Sequence, residues 1–458
     1  MRYISKFSWV RYRYNFGERR RSLFREPWAG GVVLVLCVIV ALLLANLEAT
    51  RHWYHAILSA SLSFNITSHD GFNIVFPHDL TVEKFINDGL MVIFFFGVGL
   101  EIKREVMSGQ LSSFRRAILP VIAAVGGMVV PAIIYTIFNN GTPTAGGWGI
   151  PTATDIAFAI GIMSILGDRV PLSLKIFLTA LAIADDLGAI IVIAVFYGGA
   201  VNWLCLFIAF IIMVAIYFMR RLGERRLLYY LIPAIVVWSL FYYSGIHATL
   251  AGVLMAILVP NNARYTKAHL LRQSGHIKGY IVKSVKEDDD EEYHKNLSEL
   301  GHLSYGSMSM SHFLESILSP YVTFLILPIF ALANAGVIIN LNDLNIFTFA
   351  SAGGSIGMGI FFGLLLGKPI GIFLASWLAI KFKLAEMPAA ASWRMLFAVA
   401  CLGGIGFTMS IFVDTLAFGA VSAEFVDQGK IAILFGSLAS ALLGFILINI
   451  FSKKTTNE

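Results

Sequence analysis

Long apolar stretches alternate with short polar ones along almost the whole chain. Most of the apolar stretches approach the roughly 20 residues that an α-helix needs to cross a bilayer. This pattern predicts an all-α polytopic membrane protein with about 12 transmembrane helices, in a single transmembrane domain at residues 29–451. The predicted spans lie near residues 29–47, 84–100, 117–138, 151–166, 180–194, 203–219, 227–243, 248–259, 321–338, 354–380, 395–418 and 431–451.

Three kinds of segment outside the spans have patterns of their own. A period-two alternation around the turn His69-Asp-Gly71 predicts a small β-hairpin at about 60–77, outside the bilayer. Residues 1–28 and 452–458 are predicted to be tails. A long polar stretch at about 261–312 contains the charge run 286–292, which is typical of a solvated, disordered loop without chemistry of its own.

Composition and charge support the same class of protein. Of the residues, 57% are hydrophobic and 14% are charged, against roughly 25% charged in soluble domains. The net charge of +6 does not indicate a nucleic-acid partner, because Lys and Arg cluster in alternate connecting segments. Such clustering marks the cytoplasmic side of a membrane protein. It predicts that both termini and the polar stretch 261–312 lie in the cytoplasm.

Two adjacent carboxylates, Asp185 and Asp186, lie in the middle of an apolar run that is long enough to cross a bilayer. A charged side chain at the centre of a membrane helix costs roughly 2.5–3.5 kcal/mol on insertion scales. A tandem pair at that depth therefore indicates an ion or proton site within the membrane. A soluble core helix whose charges reach the surface is the alternative, and the absence of Lys and Arg from residues 176–219 disfavours it.

Two of the predicted spans contain signals for an interruption of the helix. Thr154 and Asp155 follow Pro151 inside a short span, where the carboxylate can cap the N-terminus of a half-helix. Gly404 and Gly406 belong to a run of three glycines in four residues, which weakens a helix strongly. Close helix packing through small residues is the alternative for the glycines. Interrupted segments in both halves of a membrane protein indicate a transporter site.

Lys368 is placed mid-span between Gly367 and Pro369. A buried ammonium needs a carboxylate partner, and the sequence suggests Asp155 or Asp186 for this role. Together these groups predict exchange rather than one-way transport. Two carboxylates in a low-dielectric pocket hold either protons or a cation such as Na⁺ or Li⁺, so the two kinds of ion compete.

The division of labour between the two aspartates is a hypothesis: Asp186 is the core ligand and Asp185 its partner. Adjacent residues on a helix point about 100° apart, so one can hold the ion while the other faces the access path. A passive cation channel could use the same charges. An intramembrane aspartyl protease is disfavoured, since its two aspartates come from two facing helices. The chain is therefore predicted to be a transporter without a cofactor, and not an enzyme.

Five motifs resemble the NhaA family of bacterial Na⁺/H⁺ antiporters. The resemblance covers most of the chain and is carried by Val98–Glu105, Pro151–Phe158, Ala182–Ile190, Gly367–Pro369 and Gly404–Ile411. It implies inverted repeats formed by spans three to five and ten to twelve, with two broken helices that cross mid-membrane. It also implies electrogenic exchange that rises at alkaline pH, in the bacterial inner membrane.

The resemblance also implies roles for individual residues. Asp185, Asp186 and Thr154 would bind Na⁺ and protons, while Asp155 and Lys368 would balance the half-helix dipoles. Lys368 would in addition pair with Asp186 and release a proton. The family's pH-response positions correspond to Glu101, Arg104, Glu105, His247 and Glu315.

Oligomeric state and one departure complete the comparison with the family. The β-hairpin at 60–77 would join two copies into a periplasmic homodimer. Asp414 adds a carboxylate late in the eleventh span, where the family pattern is apolar, and no role follows for it from the sequence.

Overall fold

The structure is a computed structural model, and it describes residues 27–62, 64–67, 73–76, 80–199, 201–263, 265–338 and 355–455. The predicted N-terminal tail up to residue 26, the hairpin turn at 68–72 and the connection 339–354 lie outside the described residues. Helices dominate the remainder. In chain order they are α1 (Pro27–Asn46), α2 (Glu48–Ser59), α3 (Val82–Ser108), α4 (Phe114–Asn139), α5 (Ile156–Leu166), α6 (Leu172–Phe196), α7 (Trp203–Arg221), α8 (Leu228–Ser244), α9 (Thr249–Leu258), α10 (Lys267–Glu287), α11 (Asp290–Ser307), α12 (Met310–Asn334), α13 (Ile356–Lys381), α14 (Trp393–Leu402), α15 (Phe407–Phe418) and α16 (Ala423–Thr455).

The membrane-spanning character of these helices agrees with the hydrophobic pattern. Within the described residues, 9 helical segments are long and apolar enough to cross a membrane, and the bent pair α14 and α15 adds a tenth. Two further apolar helices, α8 and α9, are shorter. The protein is therefore a polytopic helical membrane protein, whereas the count of twelve spans and the inverted repeats stay predictions.

Both predicted interruptions are present in the backbone. The short span begins as a 3₁₀ helix, Ala145–Thr152, continues as extended chain and resumes as α5 at Ile156. The later span is bent by 50° between α14 and α15. In a membrane, such non-helical backbone is tolerated only where it is buried in protein or lines a cavity.

The prediction that the charge run 286–292, within the polar stretch 261–312, is disordered is wrong. The segment forms α10 and α11, which begin at side-chain caps: Thr266 accepts a hydrogen bond from the His269 N–H and Asp289 one from the Glu292 N–H. The acidic end of the charge run is the first turn of α11, where the helix dipole stabilises negative charge. An acidic cluster that starts a helix was therefore interpreted as a disordered run.

Two short strands, β1 (Phe64–Thr67) and β2 (Asn73–Phe76), lie within the segment predicted as a hairpin. They pair antiparallel, with Phe64 opposite Phe76 and Thr67 opposite Asn73. Their role in an assembly stays a prediction.

The chain packs into two units. The larger one comprises the described residues of Met1–Met91, Glu105–Gly199 and Thr323–Glu458. Its core joins α5, α6 and α14 through buried residues such as Met163, Leu178 and Val399. The smaller one comprises Val92–Arg104 and the described residues of Ala200–Val322, around a core of Ile216, Val237, Phe241 and Met255.

Candidate ion-binding site

The aspartate pair lies in the middle of α6, within the larger unit. Asp185 is 1% exposed and Asp186 is 3% exposed, so both carboxyl groups are removed from solvent. Helix α6 runs without a break from Leu172 to Phe196. The pair is thus held on a rigid element, and its partners come from the neighbouring interrupted chain and from α13.

Lys368 is the positive charge of this site. Its side chain is fully buried, and its ammonium forms an ion pair with Asp185 Oδ2 and donates a second hydrogen bond to Thr154 Oγ1 at 2.7 Å. The partner differs from the sequence-based suggestion of Asp155 or Asp186. The suggestion fails for Asp155 because that carboxylate is bound elsewhere, by Thr408 and by the start of α5.

The position of Lys368 follows from the contact between α13 and α4. A Cβ atom added to Gly126 would lie 2.4 Å from the Gly371 carbonyl oxygen, and one added to Gly371 would lie 2.2 Å from the Gly126 oxygen. The two backbones therefore touch at these glycines, as small residues allow in membranes. This close approach brings the deep part of α13, and with it Lys368, into the centre of the larger unit.

Thr154 links the two interrupted spans. Its hydroxyl accepts the hydrogen bond from Lys368 and donates one to the Gly403 carbonyl at 2.8 Å. One residue on, the Asp155 backbone N–H donates to the Ile405 carbonyl at 2.6 Å. The extended chain after Thr152 and the break after Leu402 thus satisfy each other's backbone groups, which removes the main cost of breaking a helix in a membrane.

Asp155 caps two helix starts at once. Its Oδ1 accepts from the Phe158 N–H of α5 at 3.2 Å, and its Oδ2 accepts from the Thr408 N–H of α15 at 3.1 Å and from the Thr408 hydroxyl. A carboxylate in this position is stabilised by the positive ends of both helix dipoles. The sequence reasoning missed Thr408; the available signal was a hydroxyl residue directly after the three-glycine run.

Close contacts at the second break leave no room for a side chain at Gly404 or Gly406. A Cβ atom on Gly404 would lie 2.4 Å from the Leu364 carbonyl oxygen, and one on Gly406 would lie 2.2 Å from Ser410 Oγ. The Ser437 hydroxyl accepts hydrogen bonds from the Gly406 and Phe407 N–H groups at 3.2 Å each. This serine of α16 therefore caps the start of α15, and it too was missed.

One carboxylate oxygen of the site lacks a protein partner. Asp185 Oδ1 is buried and accepts no hydrogen bond from any described residue, while Oδ2 is held by Lys368. A buried charged oxygen without a donor is costly unless it meets a cation or carries a proton. With Asp186 beside it and a hydroxyl at Thr154, the donor set consists of hard oxygen atoms, which suit Na⁺ and Li⁺.

Three of the residues predicted to respond to pH form a cluster in the smaller unit. Arg104 pairs with Glu315 at 2.6 Å and approaches Glu101 at 3.8 Å. His312 Nδ1 lies 3.8 Å from Glu315 Oε2, which adds a titratable group that the sequence reasoning did not select. The preceding Lys103 donates to the Ala256 and Ile257 carbonyls at the end of α9, and this fixes the last turns of α3.

The other two predicted pH-response residues lie at element ends. Glu105 accepts a hydrogen bond from the Gln110 N–H at 2.8 Å, just beyond the end of α3. His247 is half-buried in the turn between α8 and α9, and its carbonyl accepts from the Leu250 N–H at 3.1 Å.

Comparison with known proteins agrees with this geometry. The sequence profile of the family described as Na⁺/H⁺ antiporter 1 matches residues 21–448. The chain is 44% identical to the Na(+)/H(+) antiporter NhaA 2 of Flavobacterium johnsoniae, over 95% of this chain and 93% of that protein. It is 40% identical to the Na(+)/H(+) antiporter NhaA of Escherichia coli, over 92% of this chain and 95% of that protein. The chain belongs to the Na⁺/H⁺ antiporter 1 family.

Proposed function

We propose that this protein is a secondary active antiporter that exports Na⁺ or Li⁺ in exchange for H⁺ at the Asp185–Asp186 pair. The observation that carries the proposal is a buried carboxylate pair at the crossing of two interrupted helices, with one carboxylate oxygen that has no partner among the described residues. Such a site binds a monovalent cation or a proton and excludes bulk water.

Charge makes the two ions competitors. With both carboxylates ionised and Lys368 protonated, two negative charges and one positive charge leave the site with one net negative charge. One bound Na⁺ or one bound proton neutralises it, and both together would not be stable at low dielectric. Competition of this kind couples the two fluxes without a separate gate between them.

Lys368 makes the exchange electrogenic in this scheme. A Na⁺ ion that reaches Asp185 competes with the Lys368 ammonium for the same carboxylate. A buried ammonium without a counter-ion is unstable and releases its proton. A proton then leaves Lys368 as well as Asp186 when one Na⁺ enters, so that more protons than Na⁺ ions move in each cycle.

The ion pair also supports the hypothesis for the two aspartates. Since the positive charge of Lys368 pairs with Asp185, Asp186 is the carboxyl group that holds the exchanged ion. Asp185 contributes its second oxygen. Asp155 and Thr408 maintain the crossing and stay outside the exchange.

The protein is proposed to act in the bacterial inner membrane, with both termini in the cytoplasm. The support is the distribution of basic residues, which cluster at Lys103 and Arg104, at Arg220–Arg226 and at Lys381–Arg394. A homodimer through the β1–β2 segment is a further proposal. Its test is the oligomeric state of the detergent-solubilised protein before and after deletion of residues 62–78.

Regulation by pH is proposed for Glu101, Arg104, Glu105, His247 and Glu315. The support is the Arg104–Glu315 ion pair with its neighbours Glu101 and His312, since the strength of such a cluster depends on protonation. Glu101→Ala is expected to move the activity–pH profile. A profile identical to that of the unchanged protein would remove Glu101 from this role.

The function is tested in everted membrane vesicles with a fluorescent probe of ΔpH. Addition of Na⁺ or Li⁺ is expected to collapse the pH gradient, and Asp186→Asn and Asp185→Asn are each expected to abolish the response. Glu287→Gln is the matched control, because this carboxylate on α10 has a side chain that is 55% exposed. Retained exchange in Asp186→Asn would overturn the assignment.

The same preparation distinguishes a passive channel. Both aspartates lie on one helix, and this geometry does not favour the aspartyl-protease alternative. In reconstituted liposomes, an antiporter carries charge that depends on the pH gradient. A Na⁺ current that is indifferent to the gradient would identify a channel instead.

A further inference from the structure

The larger unit contains a further buried carboxyl group, on a different helix from the aspartate pair. Asp414 is on α15, is fully buried, and neither of its two carboxylate oxygens has a hydrogen-bond partner among the described residues. It lies seven residues beyond Phe407, which places it about 10 Å along the helix from the break. The proposed ion site does not use it.

The groups near Asp414 come from α16 and from two tyrosines. On α16, a Cβ atom on Gly429 would lie 2.0 Å from Asp414 Oδ1, so the carboxyl group rests directly on the glycine backbone. The next residue, Lys430, is 8% exposed and acts electrostatically on Asp414, as does Asp427. The phenol groups of Tyr135 and Tyr197 are also within electrostatic range of Asp414.

The two tyrosines do not stabilise a charge on Asp414. Tyr135 donates its hydroxyl hydrogen to the Thr144 carbonyl at 2.8 Å, and Tyr197 donates its own to the Gly146 carbonyl at 2.8 Å. A phenol has one hydrogen to donate, so neither can also donate to Asp414. Among the described residues, Lys430 is thus the cation that faces this carboxyl group, and no ion pair within 4.0 Å joins the two.

These contacts favour a proton over a metal cation as the ligand of Asp414. An ionised carboxylate without a hydrogen-bond donor costs several kcal/mol in the interior. A cation such as Na⁺ would be repelled by the ammonium group of Lys430. Gly429, which the carboxyl group contacts, has no side-chain oxygen that could bind the cation. A proton satisfies the carboxyl group without any further ligand.

We propose that Asp414 is a second proton-binding site, separate from the exchange site, and that the positive charge of Lys430 favours release of its proton. On release, the carboxyl O–H bond breaks and the proton leaves to solvent, and the carboxylate that remains on Asp414 is stabilised by the positive charge of Lys430. Asp427 lies three residues before Lys430, on the same face of α16 and exposed to solvent. It gives the proton a route to the surface at the end of the helix that the basic loops assign to the periplasm.

The site is tested by infrared spectroscopy of the purified full-length protein in lipid, through the C=O stretching band of protonated carboxyl groups. The band of Asp414 is expected to persist in saturating Na⁺ and to be missing from Asp414→Asn. Asp427→Asn is the control that leaves it in place. If Asp414→Asn retains every Na⁺-insensitive carboxyl band, the proposal is wrong.

The role of Lys430 is tested separately, on a protein that keeps Asp414. In Lys430→Met, the positive charge that favours the ionised carboxylate is gone, so the Na⁺-insensitive band should persist to higher pH. An unchanged titration would overturn the influence of Lys430 on the release of this proton. The proposed function has its own signal in the same spectra, because the carboxyl band of the exchange site should disappear when Na⁺ displaces its proton.

Discussion

Lys368 forms an ion pair with one oxygen of Asp185, while the other oxygen of the same carboxylate has no partner among the described residues. One half of this carboxyl group is thus fixed by the protein and the other half is available to an ion. The pair joins α13 to α6, and its two residues are 183 positions apart in the sequence. We therefore expect both stability and exchange to depend on it.

Loss of the ammonium is expected to destabilise the fold. Lys368→Met leaves Asp185 buried without its counter-ion, which costs about 3–5 kcal/mol for a buried pair. The double variant Lys368→Met with Asp185→Asn removes both charges and should recover most of this loss. Thermal unfolding in detergent measures the cycle. Strictly additive effects of the two substitutions would show that the pair has no coupling energy.

Loss of the Thr408 hydroxyl is expected to weaken the crossing of the interrupted spans. Thr408→Val keeps the backbone N–H bond to Asp155 but removes the side-chain bond. A hydrogen bond to a charged group contributes about 1.5–3 kcal/mol, and the unfolding temperature should fall accordingly. Thr408→Ser keeps the hydroxyl and is the control. Equal stability of the Val and Ser variants would contradict this role.

Addition of one methyl group at the second break should be damaging. In Gly404→Ala the new Cβ atom would lie 2.4 Å from a backbone oxygen of Leu364, which cannot move without displacing α13. Overpacking of this kind costs about 1–3 kcal/mol, and transport should fall with it. Gly146→Ala is the matched control, since no atom lies within 4 Å of its added Cβ. If Gly404→Ala keeps the stability and transport of the unchanged protein, the backbones at Gly404 and Leu364 can move apart, and the steric argument is wrong.

Acidification should weaken Na⁺ binding without changing the maximal rate. Because one Na⁺ displaces two protons in the proposed scheme, one from Asp186 and one from Lys368, each unit of falling pH raises the half-saturating Na⁺ concentration by up to about a hundredfold, by mass action. The slope should be the same for Li⁺, because both cations compete for the same carboxylates. Exchange rates at stepped Na⁺ concentrations and pH values measure this. If the maximal rate falls while the half-saturating Na⁺ concentration stays constant, protons inhibit at a site other than the Na⁺ site.

Much of the fold and of the site could be predicted from the sequence because the signals are local. The length of an apolar run predicts a span, and an N-terminal capping aspartate or a cluster of glycines predicts where a helix is interrupted. Thr154, Asp155 and Gly404–Gly406 were found in this way. The same kind of signal misled at residues 286–292, because an acidic run looks alike in a disordered loop and at the first turn of a helix.

Partners across the fold could not be predicted from local signals. The hydrophobic pattern places one ammonium and two adjacent carboxylates within membrane spans, so these charges must compensate one another there. The pairing itself, of Lys368 with Asp185 and of Asp155 with Thr408, 253 residues away, is visible in the folded chain alone. The cause is steric: Gly371, three residues beyond Lys368, allows another helix to approach closely, but only the folded chain shows that this helix is α4, which makes the contact through Gly126.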